Sequence, residues 1–222
     1  MSHHESNARG HDGRMVDRML FFSDAVFAIV LTIMVLELHA PVVEHFANER
    51  AGSAELWDGV AHLGRLLFAY GVSFALVGMW WSIHMRVTRL LTAFDWPTAT
   101  MNLVFLFTVS MAPFASSVLG ENLRLGAAWQ IYWGVNAATS VALTVMMLVV
   151  SRGGGKLLVG GMAGRERFAR LLQAIGPGVG FSVGVYLAGI GEVQLSQWCW
   201  IFILPVMFLA RLVWNPKKSV VE

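Results

Sequence analysis

Runs of apolar residues, each about as long as a bilayer is thick and set apart by short polar breaks, dominate this chain. A membrane-crossing helix needs about 20 residues at about 1.5 Å of rise to cover about 30 Å of hydrocarbon. Six stretches meet that length, at about 19–38, 59–84, 98–118, 125–150, 168–190 and 195–214. The first is followed by a polar connector, His39 to Asp58, which carries Glu44, Glu49, Glu55 and Asp58 against Arg50. Tight breaks at Arg86–Trp96, Gly120-Glu121-Asn122 and Gly191-Glu192 separate later spans. Pro97 suits a helix start, and Pro177 kinks or delays the fifth helix. Gly180 and Gly184 have the small-xxx-small spacing that lets helix backbones approach closely. The pattern predicts an all-α polytopic membrane protein. It has a polar segment over 1–18, one membrane domain over 19–214, a short tail over 215–222, and no internal repeat.

The first apolar stretch has more features than an anchor requires. It reads Arg18-Met19-Leu20-Phe21-Phe22-Ser23-Asp24, then runs from Ala25 to Leu36 almost without a polar break. Ser23 and Asp24 lie just inside one end, where an ionisable group is costly and needs a partner. Ile29, Ile33 and Leu36 recur at four and three residues, so they form a narrow stripe with Thr32 beside it. Asp24 points about 140° away from Ile29, and Val30 about 100° away.

Composition supports the membrane reading. Of 222 residues, 56% are hydrophobic and only 14% charged, against about 25% charged in average globular chains. The mean hydropathy is +0.61. The single cysteine, Cys199, rules out an internal disulfide and a cysteine-rich metal site, and reads as a small buried hydrophobe. About 18 polar residues precede the first span without a cleavage signature, so that span is expected to stay in place, and His3, His4 and His11 are expected in a disordered leader. The glycine-rich loop Ser151 to Arg167 lacks the GxxxxGK[ST] spacing of a phosphate-binding loop.

Charge sets the orientation. With both ends cytoplasmic, only Arg50, Arg65 and Arg124 of the 16 Lys and Arg residues fall outside. That asymmetry follows the positive-inside rule. The net charge of +2 is small, and the basic residues bear on topology, with no nucleic-acid partner indicated. Four polar residues then gather at the inner ends of the first three helices: Ser23, Asp24, His84 and Asn102. A buried Asp24 near His84 and Asn102 reads either as a clamp that fixes the first helix or as a proton-sensitive site.

Arg18-x-x-x-Phe22-Ser23-Asp24 resembles the RxxxFSD signature of the transmembrane protein 175 family of potassium channels. Trp81-x-x-His84 is similar to that family's tryptophan-histidine motif, and Asn102-Leu103 with Pro113-Phe114 to its third-helix pattern. Met85 departs from it, standing where many relatives have a second histidine. The resemblance covers the first half of the chain. It implies six-helix subunits that assemble as homotetramers around a central pore lined by the first helix. It also implies apolar rings in place of a TVGYG filter, which this sequence lacks. Ile29 falls at the family's bottleneck position, with Thr32, Ile33 and Leu36 after it. Arg18, Phe22, Ser23, Asp24, Trp81, His84 and Asn102 are then structural motif residues. Potassium is the implied permeant ion, passing transiently near Ile29 and Thr32, with no resident metal and no cofactor. The implied setting is the cell (plasma or inner) membrane, with the bilayer and the other copies of the homotetramer as partners. A proton-coupled secondary transporter or a proton-permeable channel is the alternative. Transporters show charged midplane sites, whereas this first span is apolar at its middle. An enzyme is not indicated, since HExxH, GxSxG and paired intramembrane carboxylates are missing from the sequence.

Overall fold

The structure, a computed structural model, describes residues 3–43, 47–89, 91–93, 95–152, 164–199 and 201. It is all-helical. Helix α1 runs His3–Ile33 and passes into a 3-10 turn, Met34–Glu37. Then come α2 (Glu49–His62), α3 (Gly64–Thr88), α4 (Trp96–Ser110), α5 (Ala112–Glu121), α6 (Gly126–Val150), α7 (Gly164–Gly189) and α8 (Val193–Gln197).

Among the described residues, five helical stretches are long and apolar enough to cross a membrane: Gly13–Glu37, Gly64–Thr88, Trp96–Glu121, Gly126–Val150 and Leu171–Gly189. They take the places of the first five expected spans. The sixth, about 195–214, lies outside the described residues beyond Ile201, as does most of the glycine-rich loop.

Three boundaries differ from the expectation. First, α1 starts at His3, so the leader is the start of the first helix and not a disordered tail. No proline interrupts the leader, and the apolar span downstream supplies a helix to propagate from. Second, the acidic connector contains α2. Its Asn48 cap accepts a hydrogen bond from the Ala51 amide at 2.9 Å. α2 lacks an apolar stripe that would announce it, and the following span consequently begins at Gly64 and not at Gly59. Third, the third span is two helices broken at Met111. Pro113 has no N–H to give to the helix, and the Met111 amide bonds back only three residues, to Thr108 O at 3.2 Å. The start of α4 is as read: Pro97 sits in its first turn and Asp95 caps it, accepting from the Thr98 amide at 2.9 Å.

α6 is the central helix and packs on α4, α5 and most extensively α7. Within its most apolar stretch 56% of residues are buried, against 22% for the first span, which is nevertheless the most apolar of the five. Its aromatic face holds the bundle. Trp133 stacks on Phe181 with centroids 5.4 Å apart, and its Nε1 donates to Ser196 Oγ at 3.0 Å. Ser196 in turn donates to Gly184 O at 2.9 Å, tying α8 to both long helices. A Cβ on Gly184 would lie 2.7 Å from Trp133 Cδ1, so only glycine permits this approach. Cys199 is buried, as expected of a small hydrophobe.

Candidate functional site

Two stripes divide α1, and hydropathy alone cannot tell them apart. Ser23, Phe27, Val30 and Met34 recur at four, three and four residues, and all are buried against the other helices. The opposite side carries Phe22, Ile29, Ile33 and Leu36. Ile29 is 55% exposed, Ile33 43% and Leu36 70%. Large branched residues on the most apolar span are thus left uncovered by their own chain, while Val30, one position on from Ile29, is only 4% exposed. The stripe stays in line past Ile33 because the helix tightens there. In a 3-10 turn the side chains at i and i+3 eclipse, which keeps Leu36 above Ile33. Thr32 is exposed beside the stripe. Its hydroxyl donates back to the carbonyls of Ala28 and Ile29, both at 2.9 Å, so its oxygen faces outward only as an acceptor.

Beneath the uncovered stripe, at the other end of the span, the expected polar residues meet. Asn102 Nδ2 donates to Ser23 Oγ at 2.9 Å, and His84 Nε2 lies 2.7 Å from Asn102 Oδ1. Ser23 Oγ donates to Met19 O at 2.8 Å. The directions are mutually consistent. Asn102 donates to Ser23, so its carbonyl must accept, and His84 carries its proton on Nε2. Nδ1 is then an acceptor, buried and without a hydrogen-bond partner among the described residues. The imidazole lies flat on Phe105 (centroids 5.2 Å, interplanar 6°) and tilted to Phe27 at 5.8 Å. One residue from each of α1, α3 and α4 is therefore locked in a chain of hydrogen bonds inside an aromatic sleeve.

Asp24 is placed differently from the expectation. It bonds neither His84 nor Asn102; Ser23 takes that position, and Asp24 Oδ1 accepts from Trp81 Nε1 at 2.9 Å. The reason is the 100° step between adjacent helical residues. Ser23 faces the core, so Asp24 faces the partly exposed edge where Trp81 stands. The same step separates the paired tryptophans. Trp80 is buried and its Nε1 donates to Asn136 Oδ1 at 3.2 Å, whereas Trp81 is partly exposed. Arg18 and Phe22 are exposed and stand outside this network.

Sequence reasoning missed the second polar tie, between α3 and α6. Ser73 Oγ and Tyr132 OH are 2.9 Å apart, and Asn136, held to Tyr132 O at 3.0 Å, receives Trp80. The available signal was Asn136 itself, an amide inside an apolar span that had to find a partner. Among the described residues no group of three or more His, Cys, Asp or Glu side chains could hold a metal ion.

Residues 18–113 match the model of the family described as the endosomal/lysosomal potassium channel TMEM175. A potassium channel of Streptomyces collinus is 29% identical over 128 residues, covering 58% of this chain and 59% of that protein. A potassium channel of Chamaesiphon minutus is 28% identical over 200 residues, 87% of this chain and 93% of that one. The human endosomal/lysosomal proton channel TMEM175 is 27% identical over 103 residues, 46% of this chain and 19% of its own length. In three dimensions the chain is similar to the crystal structure of a lysosomal potassium-selective channel TMEM175 homolog from Chamaesiphon minutus. The TM-score is 0.72 at 24% identity, over 89% of this chain and 98% of that one, which shows a shared fold.

Proposed function

We infer that this chain is a channel of the TMEM175 family, from the match over residues 18–113, and we propose that it conducts cations with a preference for potassium. The subunit has six membrane helices. Four copies surround a central pore lined by α1, and rings of Ile29, Ile33 and Leu36 constrict it. Thr32 turns its oxygen toward passing ions. Both ends face the cytoplasm of a cell membrane. The observation that carries this reading is the uncovered stripe: three branched side chains point away from the chain's own core on its most apolar and least packed span. The bacterial relatives' names supply potassium. Branched apolar side chains in a narrow neck make an ion shed water, and such a neck closes by dewetting.

The polar chain under the neck fits a clamp better than a proton path. Its hydrogen bonds run from the Met19 carbonyl to His84 and, among the described residues, continue no further than Nδ1. Single-channel recording from purified protein in bilayers, in potassium and then in sodium, tests the proposal. Unitary steps larger in potassium are expected. Ile29→Asn wets the neck and should raise conductance several-fold while weakening the potassium preference. Val30→Ala opens a cavity in the core instead and should leave selectivity alone. Absence of unitary steps, or selectivity that follows Val30 and ignores Ile29, would overturn the reading.

A further inference from the structure

We propose that a groove between α6 and α7 is a lipid site that holds one acyl chain. The groove has a volume of about 530 Å³, within the range of about 300–1,000 Å³ usual for small-molecule sites. Both walls belong to helices that are long and apolar enough to cross the bilayer, so the medium at the opening is hydrocarbon. α8 does not cover it. That helix docks on the opposite side of α7, through Ser196 on Gly184 and Trp133, about half a turn from the groove residues Ser182 and Tyr186.

The lining selects for an alkyl chain. Val141 and Val145 on one wall and Val179 and Val183 on the other are apolar. The hydroxyls on the floor have already given their protons to backbone carbonyls. Ser140 Oγ donates to Ala174 O at 2.5 Å, and Thr144 Oγ1 to Ser140 O at 2.8 Å. A polar ligand would find no free donor on that floor, only hydroxyl oxygens whose protons the backbone already holds, so its hydration is poorly replaced. Gly178 keeps the floor low, because a Cβ there would run into the Ser140 hydroxyl. Polarity returns only at one end. Ser182 and Tyr186 are a turn apart on the exposed face, and Tyr186 is three residues from the end of α7 at Gly189. A tyrosine at that depth sits at headgroup level, where its hydroxyl can meet an ester or phosphate oxygen. The groove therefore descends from an interfacial phenol toward the middle of the membrane, the shape of one lipid tail with its headgroup attached. This holds whether or not the chain conducts ions.

The test uses the full chain in vesicles containing a phosphatidylcholine with a photoactivatable group midway along one acyl chain. Peptide mapping should place adducts on the walls at Val141, Val145, Val179 and Val183. Filling the groove with Val145→Phe and Val179→Phe should cut those adducts by at least about five-fold, since chain contact is what is lost. Adducts on the exposed α4 residues Leu103 and Phe107 should not change. If the double variant does not fold, Val183→Phe alone, at the exposed edge, supplies the comparison. Adducts that are no denser in the groove than on α4, or that persist after filling, mean ordinary boundary lipid and overturn the proposal. So does efficient disulfide cross-linking between copies through Val179→Cys in a Cys199→Ser background, which would make the occupant a second copy.

Discussion

At the scale of single residues, Asn102 is the joint of the Ser23–Asn102–His84 chain, because it alone touches both partners. Replacing it with alanine strands the His84 Nε2–H and one acceptor site of Ser23 in a buried place. An unsatisfied buried polar group costs about 1–3 kcal/mol. Asn102→Ala should therefore lower the thermal unfolding temperature of the purified protein clearly, and His84→Ala should do so too through lost packing on Phe105 and Phe27. Trp81→Phe removes one hydrogen bond to a partly exposed Asp24 and should cost about 1 kcal/mol or less. If Asn102→Ala unfolds no earlier than Trp81→Phe, the Ser23–Asn102–His84 chain is not what anchors α1. That these residues meet was legible in the sequence, since rare polar groups at matching depths in neighbouring spans must satisfy one another. Which of Ser23 and Asp24 faces inward was not legible. Adjacent helical positions differ by 100°, and the choice depends on where α3 and α4 stand.

At the scale of elements, helix positions were readable where length and hydropathy carry the signal, as for α6, expected over 125–150 and found at Gly126–Val150. They were not readable for α2, whose helix depends on the Asn48 cap and the absence of proline, nor for the division of α1 into covered and uncovered stripes. Both stripes are apolar, so the sequence alone cannot assign Phe27 to the core and Ile29 to the outside. The small-residue spacing in α7 did point to close packing, and the structure puts that contact at Gly184. Gly184→Ala forces a methyl group into Trp133 and should destabilise by about 1–3 kcal/mol. Gly71→Ala, with nothing within 4 Å of the added carbon, should instead be neutral or stabilise by up to about 1 kcal/mol. Thermal unfolding of the two variants side by side checks the pair. Equal effects would mean that the α6–α7 contact is not limited by that ring.

At the scale of the whole molecule, the open question is what covers the uncovered face of α1, and cysteine accessibility answers it. Cys199 is buried and is the chain's single cysteine, so Cys199→Ser gives a background in which one introduced thiol reports alone. Leu36 stands at the far end of the stripe, 70% exposed, one residue from Glu37. Met34, two residues earlier, is buried in the chain's own core at 1%. If α1 lines a water-filled mouth, a charged, membrane-impermeant thiol reagent should modify Leu36→Cys quickly and cut the potassium current, whereas Met34→Cys should react slowly. Hydrocarbon excludes a charged reagent as strongly as the protein core does, because the ion must be desolvated in either medium. A lipid-facing α1 therefore predicts protection at both positions. The reagent should act from the side that carries Glu49, which the distribution of Lys and Arg assigns to the outside. Modification only from the opposite side reverses the topology. Protection of Leu36→Cys from both sides, in a protein that still conducts, moves the pore to another helix.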